Sequence, residues 1–246
     1  MVTGGASGIG WEISRFLADR GFSVVAADIH PGHTTDGPRG IHYSPLDVTD
    51  HEAVHEFFDG LVAQRGTLDV LINNAGVQRH RWLEELTWGE WSQVIDVNLH
   101  GVFSCLQAGG RHMLARGRGA IVNIASVSAR GSAGRAPYST SKAAVIGLTA
   151  TAGAEWAGRG VRVNAVAPGY IRTGVFEQGV AAGTLDPEII LNRIPAQRLA
   201  TADEIASVVG FLISDAASYM NGQTLYVDGG FMVDYGVPLS MPQSQE

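Results

Sequence analysis

Seven short runs rich in β-branched and aliphatic residues alternate along this chain with longer amphipathic stretches. Parallel strands need a crossover long enough to hold a helix, so this alternation points to a parallel sheet with helices on both faces. The runs place strands at residues 1–3, 22–27, 41–46, 68–73, 120–125, 161–166 and 224–227. Helices are expected over 9–20 and 51–65, as a long pair over 88–116, and over 137–157 and 202–214. The first run is short for a central strand, so either the recorded chain begins inside it or the strand is unusually brief. Residues 174–199 show no clear period and are too many for an ordinary connection, which suits a segment that covers a substrate.

Composition narrows the function. At 246 residues the chain can bury a sizeable core, and with neither repeat nor linker it reads as one domain over 1–246. A formal charge of −7 without a basic cluster argues against nucleic acid. No apolar run reaches membrane-spanning length, and the first residues do not form a signal peptide, so a cytoplasmic location is expected. The one cysteine, Cys105, lies in an apolar run and reads as a buried thiol. The histidines are scattered, no metal site is expected, and no Gly-x-Ser-x-Gly elbow suggests a hydrolase.

The first run leads into Thr3-Gly4-Gly5-Ala6-Ser7-Gly8-Ile9-Gly10, a glycine turn that opens a helix. Glycines let the backbone approach a pyrophosphate, and a helix N-terminus offers free N–H groups with partial positive charge. The spacing is Gly-x-x-x-Gly-x-Gly rather than Gly-x-Gly-x-x-Gly, so a plain tight turn competes with this reading. Asp28 ends the next run, where an acidic side chain can accept hydrogen bonds from ribose hydroxyls and repel an added phosphate. Neither Ser7 nor Ile29 supplies a basic group to relieve that repulsion. The expected cofactor is NAD.

Tyr138 and Lys142 stand four residues apart on an expected helix, one turn from each other on one face. A fixed positive charge lowers a phenol's pKa and readies it for proton transfer. A solvated helix face gives the same spacing. Here, however, Lys142 is the only lysine in a chain that otherwise uses arginine, and lysine supplies the compact charge such tuning needs.

These stretches resemble the short-chain dehydrogenase/reductase family, and the resemblance runs nearly from Thr3 to Gly230. It rests on the glycine turn, Asp47-Val48, Asn73-Asn74-Ala75-Gly76, Val97-Asn98, Ser126, Tyr138-x-x-x-Lys142, Pro168-Gly169 with Thr173, and Val227-Asp228-Gly229-Gly230. The fold it implies is a single-domain, doubly wound Rossmann-type α/β sheet of about seven strands. It implies Tyr138 as acid/base, Lys142 as the group that lowers its pKa and bonds the nicotinamide ribose, Ser126 as the holder of the substrate oxygen, and Asn98 as the holder of a water in a proton relay. For the cofactor it implies Gly4, Ser7, Gly8, Ile9, Gly10, Asp28, Ile29, Asp47, Val48, Asn74, Ala75, Gly76, Tyr138, Lys142, Pro168, Gly169, Ile171 and Thr173.

Gly4, Asp28, Asp47, Asn74, Ser126 and Pro168 all fall at or just past the carboxyl end of an expected strand, the rim where such sheets bind ligands. Ser128 competes with Ser126, and Asn98 could instead be an amide that ties backbone together. The leading expectation is an NAD(H)-dependent secondary alcohol dehydrogenase or ketone reductase. The alternatives are a 3-oxoacyl thioester (acyl carrier protein) reductase and an NAD-sensing regulator without turnover. Arg79, His80 and Arg81 could meet an acidic substrate group, though a solvated loop explains them too. The resemblance implies a homotetramer, with the tail around Phe231-Met232-Val233 and Val237-Pro238-Leu239 packed on a neighbour.

Overall fold

Strands covered on both faces are apolar along their whole length rather than alternating. The computed structural model describes residues 1–33, 40–181, 183 and 185–233, and the tail residues Val237-Pro238-Leu239 lie outside them. Its strands are β1 (Val2–Thr3), β2 (Val24–Asp28), β3 (Ile41–Pro45), β4 (Val70–Asn73), β5 (Gly119–Ile124), β6 (Val161–Pro168) and β7 (Thr224–Val227). They form one seven-stranded sheet of order β3-β2-β1-β4-β5-β6-β7, and every pairing is parallel. The chain winds outward from β1 to one edge, returns to place β4 on the other side of β1, and winds outward again. The crevice above that reversal is the natural ligand site.

Two helices, α1 (Gly8–Ala18) and α8 (Ala202–Ile213), cover one face through Ile13, Leu17, Ile205, Val209 and Leu212. The opposite face takes α2 (His51–Arg65), α4 (Gly101–Arg116) and α5 (Ala136–Trp156), which bury Phe58, Leu61, Leu106, Met113 and Ala152. A buried polar ladder fixes α5 to the strands beneath it. Asn73 Nδ2 donates to Asn123 Oδ1 at 2.8 Å, and Asn123 Nδ2 donates to Thr149 Oγ1 at 2.9 Å. Such a ladder orients a helix more sharply than apolar packing, because an amide left unpaired in the interior is costly. Among the described residues, no helix is long and apolar enough to cross a membrane.

The structure departs from the sequence reading in three places. The strand β2 runs through Asp28 itself, so the acidic residue closes the ladder rather than following it. The expected long pair is α3 (Trp88–Ile95) and α4, joined without a loop by a π-helical turn, Asp96–His100. The segment 174–199 holds two helices, α6 (Gly174–Ala181) and α7 (Pro187–Leu191). The start of α7 was visible in sequence: Asp186 accepts from the amides of Glu188 and Ile189, and proline occupies the first turn.

Candidate active site

The turn after β1 is shaped to admit a phosphate. Gly4 and Gly8 have φ of 60° and 54°, backbone that side chains rarely adopt. Ser7 precedes α1 without making a side-chain cap bond, and the first turn holds no acidic residue, which leaves the helix N-terminus open to an anion. Gly10 contributes differently: a Cβ there would collide with the Gly4 carbonyl and the Asn74 amide. It does not line the cleft; it lets α1 sit close against the turn. Asn74 Nδ2 donates to the carbonyls of Thr3 and Gly4, each at 3.0 Å, and Thr3 Oγ1 accepts from the amides of Asn74 and Ala75. Thr3 is therefore a brace that sequence reasoning passed over.

A cleft of about 1310 Å³ runs along the carboxyl ends of the strands. It gathers Gly4, Ser7, Gly8, Ile9, Asp28, Ile29, Asp47, Val48, Asn74, Ala75, Gly76, Ser126, Tyr138, Lys142, Pro168, Gly169, Ile171 and Thr173. Of the residues expected from sequence, Gly10 and Asn98 stand behind its wall rather than on it. Asp28 is held by two amides, Oδ2 accepting from Ala6 at 3.2 Å and Oδ1 from His30 at 3.3 Å. Among the described residues no lysine or arginine lines the cleft beside it; its neighbours there are Ser7, Ile29, Leu46 and Asp47.

Near the other end, the first turn of α5 presents Tyr138 to Ser126, which follows β5. The Ser126 side chain is near enough to act on the Tyr138 phenol, and its Oγ accepts from the Ser128 amide at 3.1 Å. Both serines line the cleft, and Ser126 is the one that acts on the phenol. Lys142 lies beneath them, 3% exposed, with Nζ donating to the Ile124 carbonyl at 2.6 Å and 5.7 Å from the centre of the Tyr138 ring.

The electrostatics correct one expectation. Burial pushes the Tyr138 phenol above its ordinary value, while the Ser126 hydrogen bond and the Arg135 charge pull it down. Lys142 Nζ lies 5.7 Å from the centre of the ring, with its ammonium desolvated and donating to the Ile124 carbonyl. Burial draws Lys142 from 10.5 to about 8. A folded-state value below the unfolded one gives a contribution that is full above the unfolded pKa and lost as pH falls through the folded one. Lys142→Met removes that titration. The stability of the wild type relative to this variant should therefore rise by roughly 3 kcal/mol between pH 8 and pH 10.5. Denaturant unfolding across that range measures it, and a flat difference would contradict the burial of a charged amine.

Asn98 sits behind this pair, bonded through its side chain to two other elements. It is fully buried in the π-helical turn; its Oδ1 accepts from Val77 N and its Nδ2 donates to Val77 O, both at 2.8 Å. Its remaining N–H donates to Ser141 Oγ at 3.3 Å, and Ser141 Oγ donates to the Tyr138 carbonyl at 2.8 Å. The side chain's donors are thus committed to protein, and it ties the loop after β4 to the turn that carries Tyr138. Extra residues in a helical turn often mark such sites.

Residues missed by the sequence reading include Gln78, Gln93, Tyr170 and Arg135, all on the cleft wall. Of the loop arginines that were considered, Arg79 donates to Gln93 and Arg81 pairs with Glu90, each at 3.0 Å. Only His80 of that trio lines the cleft, and burial together with the Arg135 charge holds its pKa below the usual histidine value. The open helix end, the bare glycines and the Asp28 carboxylate fit a dinucleotide.

A family model described as enoyl-(acyl carrier protein) reductase matches residues 4–232. The 3-oxoacyl-[acyl-carrier-protein] reductase of Thermotoga maritima is 39% identical over 241 residues, covering 95% of this chain and 97% of that protein. The cis-4-hydroxycyclohexanecarboxylate dehydrogenase of Sinomonas cyclohexanicum is 42% identical over 241 residues, covering 94% of this chain and 95% of its own. Among solved structures, ElxO with NADP bound matches at a TM-score of 0.88 and 32% identity, covering 94% of this chain and 97% of that one.

Proposed function

The chain belongs to the short-chain dehydrogenase/reductase family of oxidoreductases, and we propose that it uses NAD(H) to interconvert an oxo compound and its hydroxy form, with a 3-oxoacyl thioester as the first of two substrate readings. The observation that carries this reading is the Ser126–Tyr138 pair over a buried Lys142, in one cleft with Asp28 and the open end of α1. When bound, the nicotinamide supplies or takes the hydride. Ser126 donates a hydrogen bond to the substrate oxygen as charge develops there, and Tyr138 gives or takes the proton at that oxygen. Asn98 and Ser141 hold Tyr138 in place through the backbone. Lys142, anchored under the ring, would on this reading meet the nicotinamide ribose through its remaining N–H groups.

The comparisons support an acyl substrate better than the plain alcohol or ketone that led the sequence reading, since the family description and the Thermotoga relative are both named for acyl carrier proteins. A small hydroxy acid is the second reading, favoured by the Sinomonas relative's name and by an unpaired arginine on the cleft wall. The cofactor reading rests on Asp28, although ElxO holds NADP.

A phenol raised by burial is protonated at neutral pH, which suits reduction. Reduction should hold a plateau and fall as pH rises through the phenol's pKa, while oxidation of the hydroxy compound should climb over the same range. Rates in both directions, followed by nicotinamide absorbance, measure this. Identical profiles in the two directions would remove Tyr138 from the proton transfer. We take the assembly to be a homotetramer, on the exposed small residues Ala143, Gly147 and Thr151 of α5 and on the edge strand β7. Light scattering tests it.

A further inference from the structure

We propose that the substrate carries a free carboxylate and that Arg135 is the side chain that binds it. This deepens the second substrate reading and rests on Tyr138 acting at the reacting carbonyl. Arg135 lies on the cleft wall three residues before Tyr138, at the N-cap of α5. Its backbone is fixed on both sides. Its amide donates to Ser132 O at 3.1 Å, its carbonyl accepts from Ser139 N at 2.8 Å, and a β-bridge pairs it with Arg81.

Among the described residues several arginines besides Arg135 have no carboxylate partner, but of these Arg135 is the one that lines the cleft. The other basic side chains on the cleft wall are Lys142, committed to the Ile124 carbonyl, and His80. Arg135 therefore holds a half-buried positive charge without a counter-charge, close enough to act on both Tyr138 and His80. A guanidinium removed from water recovers its solvation through a planar, two-oxygen partner, and a carboxylate supplies one. An ester or thioester offers neither the charge nor the second equivalent oxygen. The polar neighbours Gln78, His80 and Gln93 suit a compact polar group better than an acyl chain.

The test uses the whole protein with NADH and matched carbonyl pairs: 4-oxocyclohexanecarboxylate against its methyl ester, and 3-oxobutanoate against its methyl ester and its neutral N-acetylcysteamine thioester. We expect kcat/KM for the acid to exceed that for the ester by roughly 10- to 100-fold in at least one pair, the size of a charge-assisted hydrogen bond. Arg135→Gln should bring the acid-to-ester ratio down toward one, mainly by raising KM for the acid, and Arg135→Lys should keep part of it. Should Arg135→Gln fold poorly, wild-type inhibition by cyclohexanecarboxylate but not by cyclohexanecarboxamide gives the same reading. Equal or better turnover of the ester or thioester, or a ratio untouched by Arg135→Gln, overturns this inference while leaving carbonyl reduction in place. If NADH binds and no carbonyl is consumed, the proposed function fails along with it.

Discussion

Tyr138→Phe is expected to lower turnover by about 10²- to 10⁴-fold, the usual worth of a positioned acid or base, while NADH still binds. The ring would keep its place, because the neighbouring backbone is held by Ser141 and the Asn98 amide rather than by the phenol oxygen. What disappears is the phenol on which Ser126 acts, the group that on the proposed reading delivers the proton. Ser126→Ala should lose less, since it removes a hydrogen bond to the developing charge but leaves the acid. Steady-state rates with cofactor affinity measured separately, by nicotinamide fluorescence, distinguish chemistry from binding. Near-normal turnover in Tyr138→Phe would move the reaction to another group.

The second large effect concerns the cofactor. A phosphate about 4 Å from the Asp28 carboxylate would cost ~1 kcal/mol in water and ~4 kcal/mol at an intermediate dielectric. That corresponds to roughly tenfold to thousandfold discrimination against NADPH. Asp28→Asn keeps the shape and one acceptor oxygen for the Ala6 amide while removing the charge. The ratio of kcat/KM for NADH to that for NADPH should fall by an amount within that range, with little change in melting temperature. A wild type that prefers NADPH, or a ratio that Asp28→Asn leaves alone, would show that the carboxylate does not set the preference.

Much of this site was legible before any coordinates, for reasons that differ residue by residue. Gly4, Gly8 and Asp28 were readable because strand ends and glycines mark where backbone can approach a ligand. Gly10 belongs to the same motif, yet its role is contact with the Gly4 carbonyl, which only the packing of α1 reveals. The Tyr138 and Lys142 spacing was likewise plain, but not the sign of the phenol's shift. That depends on how dry the site is, which only the packing around Tyr138 reveals.

The side-chain partners of Asn98, Val77 and Ser141, come from distant parts of the chain, so spacing alone does not reveal them. Arg135 was overlooked for a similar reason. In sequence it is one more arginine ahead of a proline, and its lack of a partner appears only once the arginines at positions 79 and 81 are seen to be engaged elsewhere. The helices within 174–199 were hidden by glycines that lower helix propensity at 174 and 179, although the Asp186-Pro187 start was available to read.

The most direct measurement follows the hydride itself. NADH carrying deuterium on C4 of the nicotinamide, incubated with protein and a 3-oxoacyl thioester or an oxo acid, should give a hydroxy product with one deuterium on the carbinol carbon, read by mass spectrometry. Tyr138→Phe should yield that labelled product far more slowly. Unlabelled substrate recovered beside bound, unconsumed cofactor would contradict the catalytic account.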